Sequence, residues 1–299
     1  MIVNQSNLRG LTTGYSAAFN KAMTEVNPDY RDIATVVTSV TAENNYAWLG
    51  QIPGMREWIG EREVQHISEY GYTIKNREFE RTIGIKRTAI EDDQYGVYTP
   101  MFSAMGQEAG EHPNDMVFGL LAKGFTEQCY DGKNFFAADH KSGDKTFSNT
   151  STAALSAESF LAARQAMMSI TGDQGKALKL VPDLLVVSPK NEMVAKKILE
   201  ASLIDGSTNI TQNLAKIKVA TELAGENEDA WFLLCTKKFL KPLILQIREK
   251  IKFQMLTKDT DLNVFMQNEY LYGCSCRDNA GFGFWQMAYG STGKTAGEG

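Results

Sequence analysis

The sharpest candidate for chemistry lies at the end of the chain. Ala288-Tyr289-Gly290-Ser291-Thr292-Gly293-Lys294-Thr295 satisfies the relaxed phosphate-loop spacing, and a strand pattern precedes it. Such a loop works only where it opens a helix whose first N–H groups hold the phosphates. Thr295 is followed by a short run containing Gly297 and Gly299, which disfavour helix, so the spacing reads as coincidence. Asp139-His140 beside Phe135-Phe136 offers a base for a Cys129 nucleophile, but the spacing suits an ordinary loop histidine equally well. Glu91-Asp92-Asp93 offers oxygen ligands for a cation; adjacent acids at a strand-to-helix junction more often stabilise a helix N-terminus. Cys129, Cys235, Cys274 and Cys276 contain no CxxC pair, so their spacing implies no zinc site, and they are expected to be reduced. Glycosylation triplets begin at Asn4, Asn149 and Asn209, without a secretory signal to make them meaningful. No catalytic, cofactor or metal set is expected.

The whole chain sets the frame for that poverty of chemistry. It has 299 residues, 43% of them hydrophobic, with a formal net charge of −5. That is enough apolar chain for one large domain or two ordinary ones, and it excludes wholesale disorder. Apolar runs such as Leu184-Leu185-Val186-Val187 are far short of the ~20 residues a membrane span needs. The first residues carry no basic head or apolar stretch, so the protein is expected to be made and kept in the cytoplasm. A sequence pI near 5.4 argues against a dedicated nucleic-acid grip.

The elements follow from periodicity. Residues 1–45 read as an arm with a helix from Tyr15 to Val26, whose Phe19, Met23 and Val26 need a surface to lie on. From Arg56 to Asp93, seven basic and nine acidic side chains crowd into 38 residues. Strand alternation at Tyr72–Lys75 and Ile83–Lys86 makes this a two-stranded excursion, too thin to be stable alone. Its mixed charges suit either an intersubunit surface or a solvated hairpin. A helix is expected from Thr99 to Tyr130, kinked or broken at Pro113. Ala153 to Leu240 alternates helix and strand. Ser156 is placed as an N-cap, Ser188-Pro189 as a helix start, and Val194, Ile198 and Ala201 as that helix's inner face. The remainder reads as strands with a turn at Asp278-Asn279-Ala280-Gly281, ending in a frayed tail.

Taken in order, these segments resemble the Mu-like prophage major head subunit family, tailed-phage capsid proteins. The carriers begin with Leu8-Arg9-Gly10-Leu11 and Phe19, then Trp48-Leu49-Gly50 to Trp58-Ile59-Gly60-Glu61-Arg62. They continue through Phe79-Glu80 to Ile90-Glu91-Asp92-Asp93, and Asp131-Gly132-Lys133-Asn134-Phe135-Phe136 with Asp139-His140. They close with Pro182-Asp183-Leu184-Leu185-Val186-Val187-Ser188-Pro189 and Gly281-Phe282-Gly283-Phe284-Trp285-Gln286. The resemblance implies an α+β Hong Kong 97-type capsid fold. It divides the chain into an N-terminal arm reaching to neighbours (1–45), an extended-loop hairpin (46–90) and a peripheral domain with a long spine helix (91–152). An α/β axial domain (153–240), peripheral return strands (241–290) and a flexible tail (291–299) follow. Trp58, Arg62, Glu63, Lys75, Arg77, Glu78, Glu80 and Arg81 are the expected intersubunit contacts. The resemblance implies pentamers and hexamers closing into an icosahedral shell around double-stranded DNA, which is held without sequence-specific contact. It also implies a separate scaffold protein and a portal, no membrane and no cofactor, and a place in the virion after assembly in the host cytoplasm. Deleting Met55 to Ile83 is expected to leave a folded subunit that cannot close shells. A nanocompartment shell of the encapsulin type is the second reading, and a nucleotide-binding enzyme the third.

Overall fold

The computed structural model describes residues 5–46, 49, 71–92, 96–172, 175–204 and 206–294. Two sheets and one long helix carry the α+β architecture. The first sheet has the order Ala34–Thr38, Leu243–Leu256, Glu269–Phe282, Arg77–Lys86, with the first pair parallel and the others antiparallel. The second has the order Lys216–Val219, Leu184–Val187, Trp231–Leu234, Ala288–Ser291, Thr150–Ser151. Its two principal strands read Leu-Leu-Val-Val and Trp-Phe-Leu-Leu and are buried throughout, as a sheet covered on both faces requires.

The helix Thr99–Lys123 lies against the first sheet and runs through Pro113 without a break. It stops at Lys123 rather than Tyr130, because the chain turns at Gly124, where the Phe136 ring packs too closely for a Cβ. The arm helix is longer than its pattern suggested, Gln5–Glu25, and the surface it lies on is this same long helix. Gly106 and Gly110 form the contact. A Cβ on Gly106 would overlap the Phe19 carbonyl, and one on Gly110 would stand 2.9 Å from the Met23 carbonyl. Two helices thus meet backbone to backbone, and Tyr15 and Phe19 enter an aromatic cluster with Phe102, Phe253 and Tyr272. That cluster is one core; a larger one joins Val117, Phe118 and Leu121 of the long helix to Phe135, Phe136, Trp231, Phe282 and Trp285.

Several sequence expectations are corrected. The strand signals at 72–75 and 83–86 do not pair with one another. Thr73–Lys75 pairs with Glu43–Asn45, and Arg77–Lys86 with Glu269–Phe282. Removal of Met55 to Ile83 would therefore strip a core-lining edge strand, not an appendage. No turn forms at Asp278–Gly281: the strand continues to Phe282, since Asp278 meets His112 and the Asn279 amide donates to the Lys75 carbonyl. The last strand, Ala288–Ser291, joins the second sheet. Glu91 and Asp92 close the short helix Arg87–Glu91 at its C-terminal end, and Glu91 pairs with Arg87 at 3.0 Å; Asp93 lies outside the described residues. Ser156 does cap Ala157–Met168, through a reciprocal box with Ser159. Pro189–Asn191 forms a 3-10 turn before the helix Glu192–Leu199, whose inner face is Ala195, Ile198 and Leu199, leaving Val194 39% exposed.

The glycine contact generates a test. Gly106→Ala is expected to lose about 1–3 kcal/mol through overpacking against the arm helix. Gly119→Ala, on the same helix with nothing within 4 Å of a new Cβ, is expected to gain up to about 1 kcal/mol of helix propensity. Urea unfolding of the soluble subunits measures both.

Candidate functional site: the root of the excursion and its charged edge

The two feet that flank residues 47–72, the strands Glu43–Asn45 and Thr73–Lys75, pair antiparallel. Of the expected contact residues, Trp58, Arg62 and Glu63 lie outside the described residues. Both feet are tied to one side chain. Gln246 interrupts the apolar run Leu243-Ile244-Leu245 on a central strand and is fully buried. Its carbonyl accepts from the Tyr46 hydroxyl at 2.8 Å, and its amide donates to the Ile74 carbonyl at 3.1 Å and to Asn76 Oδ1 at 2.7 Å. Asn76 in turn donates to Ser39 Oγ at 2.9 Å and to the Thr41 carbonyl at 2.8 Å. Burial pushes the Tyr46 phenol above its ordinary pKa, against the hydrogen bond with Asn44. The phenol therefore stays protonated and keeps donating.

Beyond the second foot, Arg77–Lys86 is the outer strand of its sheet. Phe79, Ile83 and Ile85 turn inward, Phe79 against His112 with ring centroids 4.5 Å apart. Lys75, Arg77, Glu78, Glu80 and Arg81 are all exposed. Arg77 lies 5.6 Å from the Phe79 ring centroid, Glu78 pairs loosely with Arg277 at 3.8 Å, and Glu80 accepts from Thr82 at 2.7 Å. Among the described residues this strand edge is unpaired and carries both signs of charge, so it is able to meet another chain along its backbone and to reject a wrong register.

The sequence's other candidates fall elsewhere. Cys129 and His140 do share a partner, but it is Asp131: Cys129 Sγ donates to its Oδ1 at 3.2 Å, and His140 Nδ1 lies 2.6 Å from its Oδ2. Asp139 instead pairs with Lys133 at the surface. His140 is fully buried and stacked on Trp285 at 4.2 Å, with Nε2 on the Phe135 carbonyl. Burial and the Asp131 charge push the Cys129 thiol well above its ordinary range, the opposite of an activated nucleophile. Asn149, marked only by a glycosylation triplet, is buried and donates to the carbonyls of Phe135, Trp285 and Ala288 at 2.9–3.3 Å. Asn209 is buried as well, donating to Ile198 and Ala201. Ala288–Ser291, the start of the phosphate-loop spacing, is a strand paired on both sides. No described helix is long and apolar enough to cross a membrane.

A long helix laid on an extended sheet, together with a second mixed sheet, forms the Hong Kong 97-type fold of tailed-phage capsid subunits. The capsid protein of the cyanophage P-SCSP1u aligns at TM-score 0.60 and 11% identity over 89% of this chain and 88% of its own, a likeness of fold. The chain belongs to the family of the Mu-like prophage major head subunit gpT, which matches residues 8–154, 146–223 and 217–297. It is 33% identical to the Mu-like prophage FluMu major head subunit of Haemophilus influenzae, over 97% of this chain and 75% of that one. It is equally 33% identical to the major capsid protein of Escherichia phage Mu, over 96% of this chain and 74% of that one. Among solved structures, the procapsid of bacteriophage JBD30 aligns at TM-score 0.62 and 35% identity, covering 99% of this chain and 78% of that chain. The chain is a Mu-like major capsid protein of a phage or prophage.

Two tests follow from the buried groups. Gln246→Leu leaves the Ile74 carbonyl and Asn76 Oδ1 without the amide that donates to them, and is expected to cost about 2–6 kcal/mol in urea unfolding, at roughly 1–3 per unsatisfied group. The Asp131 carboxyl is raised by burial but more strongly lowered by hydrogen bonds and charge from His140, so its pKa stays below the ordinary 3.8. A carboxyl depressed in the folded state contributes stability above its unfolded pKa and loses it as pH falls through the folded value. The stability gap between wild type and Asp131→Asn is therefore expected to be largest at neutral pH and to close below pH 3.8.

Proposed function

We propose that the chain builds an icosahedral shell from pentamers and hexamers, with the edge strand Arg77–Lys86 and the excursion before it as intersubunit contacts. Lys75, Arg77, Glu78, Glu80 and Arg81 would carry the charge pairing, together with Trp58, Arg62 and Glu63. The observation that carries this reading is the anchoring at Gln246: its buried amide holds Tyr46, Ile74 and Asn76 on either side of residues 47–72, and the exposed, charged strand Arg77–Lys86 follows directly. A second surface suits repetition of the same chain. The short helix Leu262–Gln267, between the two longest strands, leaves Leu262, Phe265 and Met266 between 69% and 80% exposed, an apolar cap for a neighbouring subunit to cover.

The excess of acidic side chains, net −5, suits an inner wall that holds packaged double-stranded DNA without gripping it. A separate scaffold protein and a portal would direct closure in the host cytoplasm, and the finished subunit resides in the virion. Ala34–Thr38, Arg77–Lys86, Thr99–Lys123 and the two longest strands would form the peripheral domain, and the second sheet the axial domain. The role is structural, and no catalytic step is assigned.

Electron microscopy of the double variant Arg77→Glu/Arg81→Glu tests the contact. Both side chains are exposed, so unfolding is expected to shift by less than about 1 kcal/mol, while closed shells fall at least ten-fold against wild type in the same assembly mixture. Wild-type yields of closed shells from this variant would remove the edge strand from the interface.

A further inference from the structure

Where the long helix crosses the strand Glu269–Phe282, three side chains of different chemistry converge. His112 comes from the helix; Cys276 and Asp278, two residues apart, project from one face of the strand. Their donor atoms lie within 4.8 Å of one another, and His112 Nε2 stands 3.2 Å from Asp278 Oδ1. Two nitrogen or oxygen ligands of a tetrahedral zinc ion, each bound at about 2.0–2.1 Å, stand about 3.3 Å apart. The helix–strand pair is therefore already at coordination spacing, and only the thiol has to close in.

The surroundings point the same way. His112 and Cys276 line a cavity of about 190 Å³, ample for water in a fourth position. Its wall also carries Glu80, Glu108 and Asp115, with Arg81 as a cation on its rim. The other thiol–carboxylate–imidazole group, Cys129–Asp131–His140, is different. Its 2.6 Å nitrogen–oxygen separation is a hydrogen bond too short for two ligands of one ion, its second imidazole nitrogen is held by the Phe135 carbonyl, and His140 has no exposure.

We propose that His112, Cys276 and Asp278 form a binding site for a zinc-class divalent transition metal that clips the long helix to the sheet. The metal takes the Nε2 lone pair with the imidazole hydrogen on Nδ1, one carboxylate oxygen, and the Cys276 sulfur. The thiol proton leaves to water, and a water molecule from the cavity completes the tetrahedron. In the free protein, burial and then Asp278 push the thiol up to about 12, so metal must displace that proton. The site is independent of the shell-building reading.

The experiment uses the full chain, stripped with chelator and titrated with Co²⁺, a tetrahedral reporter for zinc. The near-ultraviolet thiolate-to-cobalt band is expected in wild type, Cys274→Ser and Cys129→Ser, to be erased by excess Zn²⁺, and to be lost in Cys276→Ser and in His112→Gln. Zn²⁺ is expected to raise the melting temperature of wild type and not of His112→Gln. Absence of the band in wild type overturns the proposal; so does its survival in Cys276→Ser, or its loss in Cys129→Ser while Cys276→Ser keeps it.

Discussion

A buried amide in a central strand is the constraint on which the shape of this subunit depends. Gln246 sits where burial excludes water, so each of its polar atoms must find a protein partner or cost about 1–3 kcal/mol. Those partners, Tyr46, Ile74 and Asn76, come from both sides of the excursion at residues 47–72. Apolar side chains at that place would pack with similar strength in several registers. Hydrogen bonds are directional, so they admit one. A glutamine there trades some apolar stabilisation for a fixed position of the two strands that flank residues 47–72.

The rest of the body stiffens that root. The arm helix is pressed on the long helix through Gly106 and Gly110, where missing side chains let backbones touch, and its Tyr15 and Phe19 complete an aromatic cluster over the sheet. Asn149 plays for the second sheet the part that Gln246 plays for the first, binding three carbonyls of chain segments that meet there. Rigid cores with polar pins fix the body, while the charges of the outer strand Arg77–Lys86 stay exposed.

The parts legible in the sequence are those governed by local rules. The cap at Ser156, the buried strands at Leu184 and Trp231, and the long helix beginning at Thr99 follow from propensity and period, and the ordered blocks carried the family. Pairing was not legible. Thr73–Lys75 and Arg77–Lys86 look like two arms of one hairpin, yet Asn76 between them is buried and sends each to a different partner. Asp278-Asn279-Ala280-Gly281 has turn composition but forms strand, because His112 and the Lys75 carbonyl satisfy its polar side chains and Ile74 fills the space above Gly281. Gln246 had a faint signal, a lone amide inside the run Leu243 to Ile247; Asn149 had only a misleading one.

The same non-local logic explains how one strand serves two cores. Leu243–Leu256 is buried on both faces over its first four residues and alternates beyond them, and its pairing with Glu269–Phe282 shifts register between Ile247 and Glu249 and again between Glu249 and Lys252. Such irregularities bend a strand and increase its twist. Before them, Leu243, Ile244 and Leu245 pack into the large core; after them, Ile251 and Phe253 face the aromatic cluster beneath the two helices. The two one-residue shifts cancel in facing, so Leu243 and Leu245 keep the same facing as Ile251 and Phe253 further along the strand. The shifts thus bend the strand where a fully buried stretch passes into a half-buried one, and Gln246 stands just before the first of them.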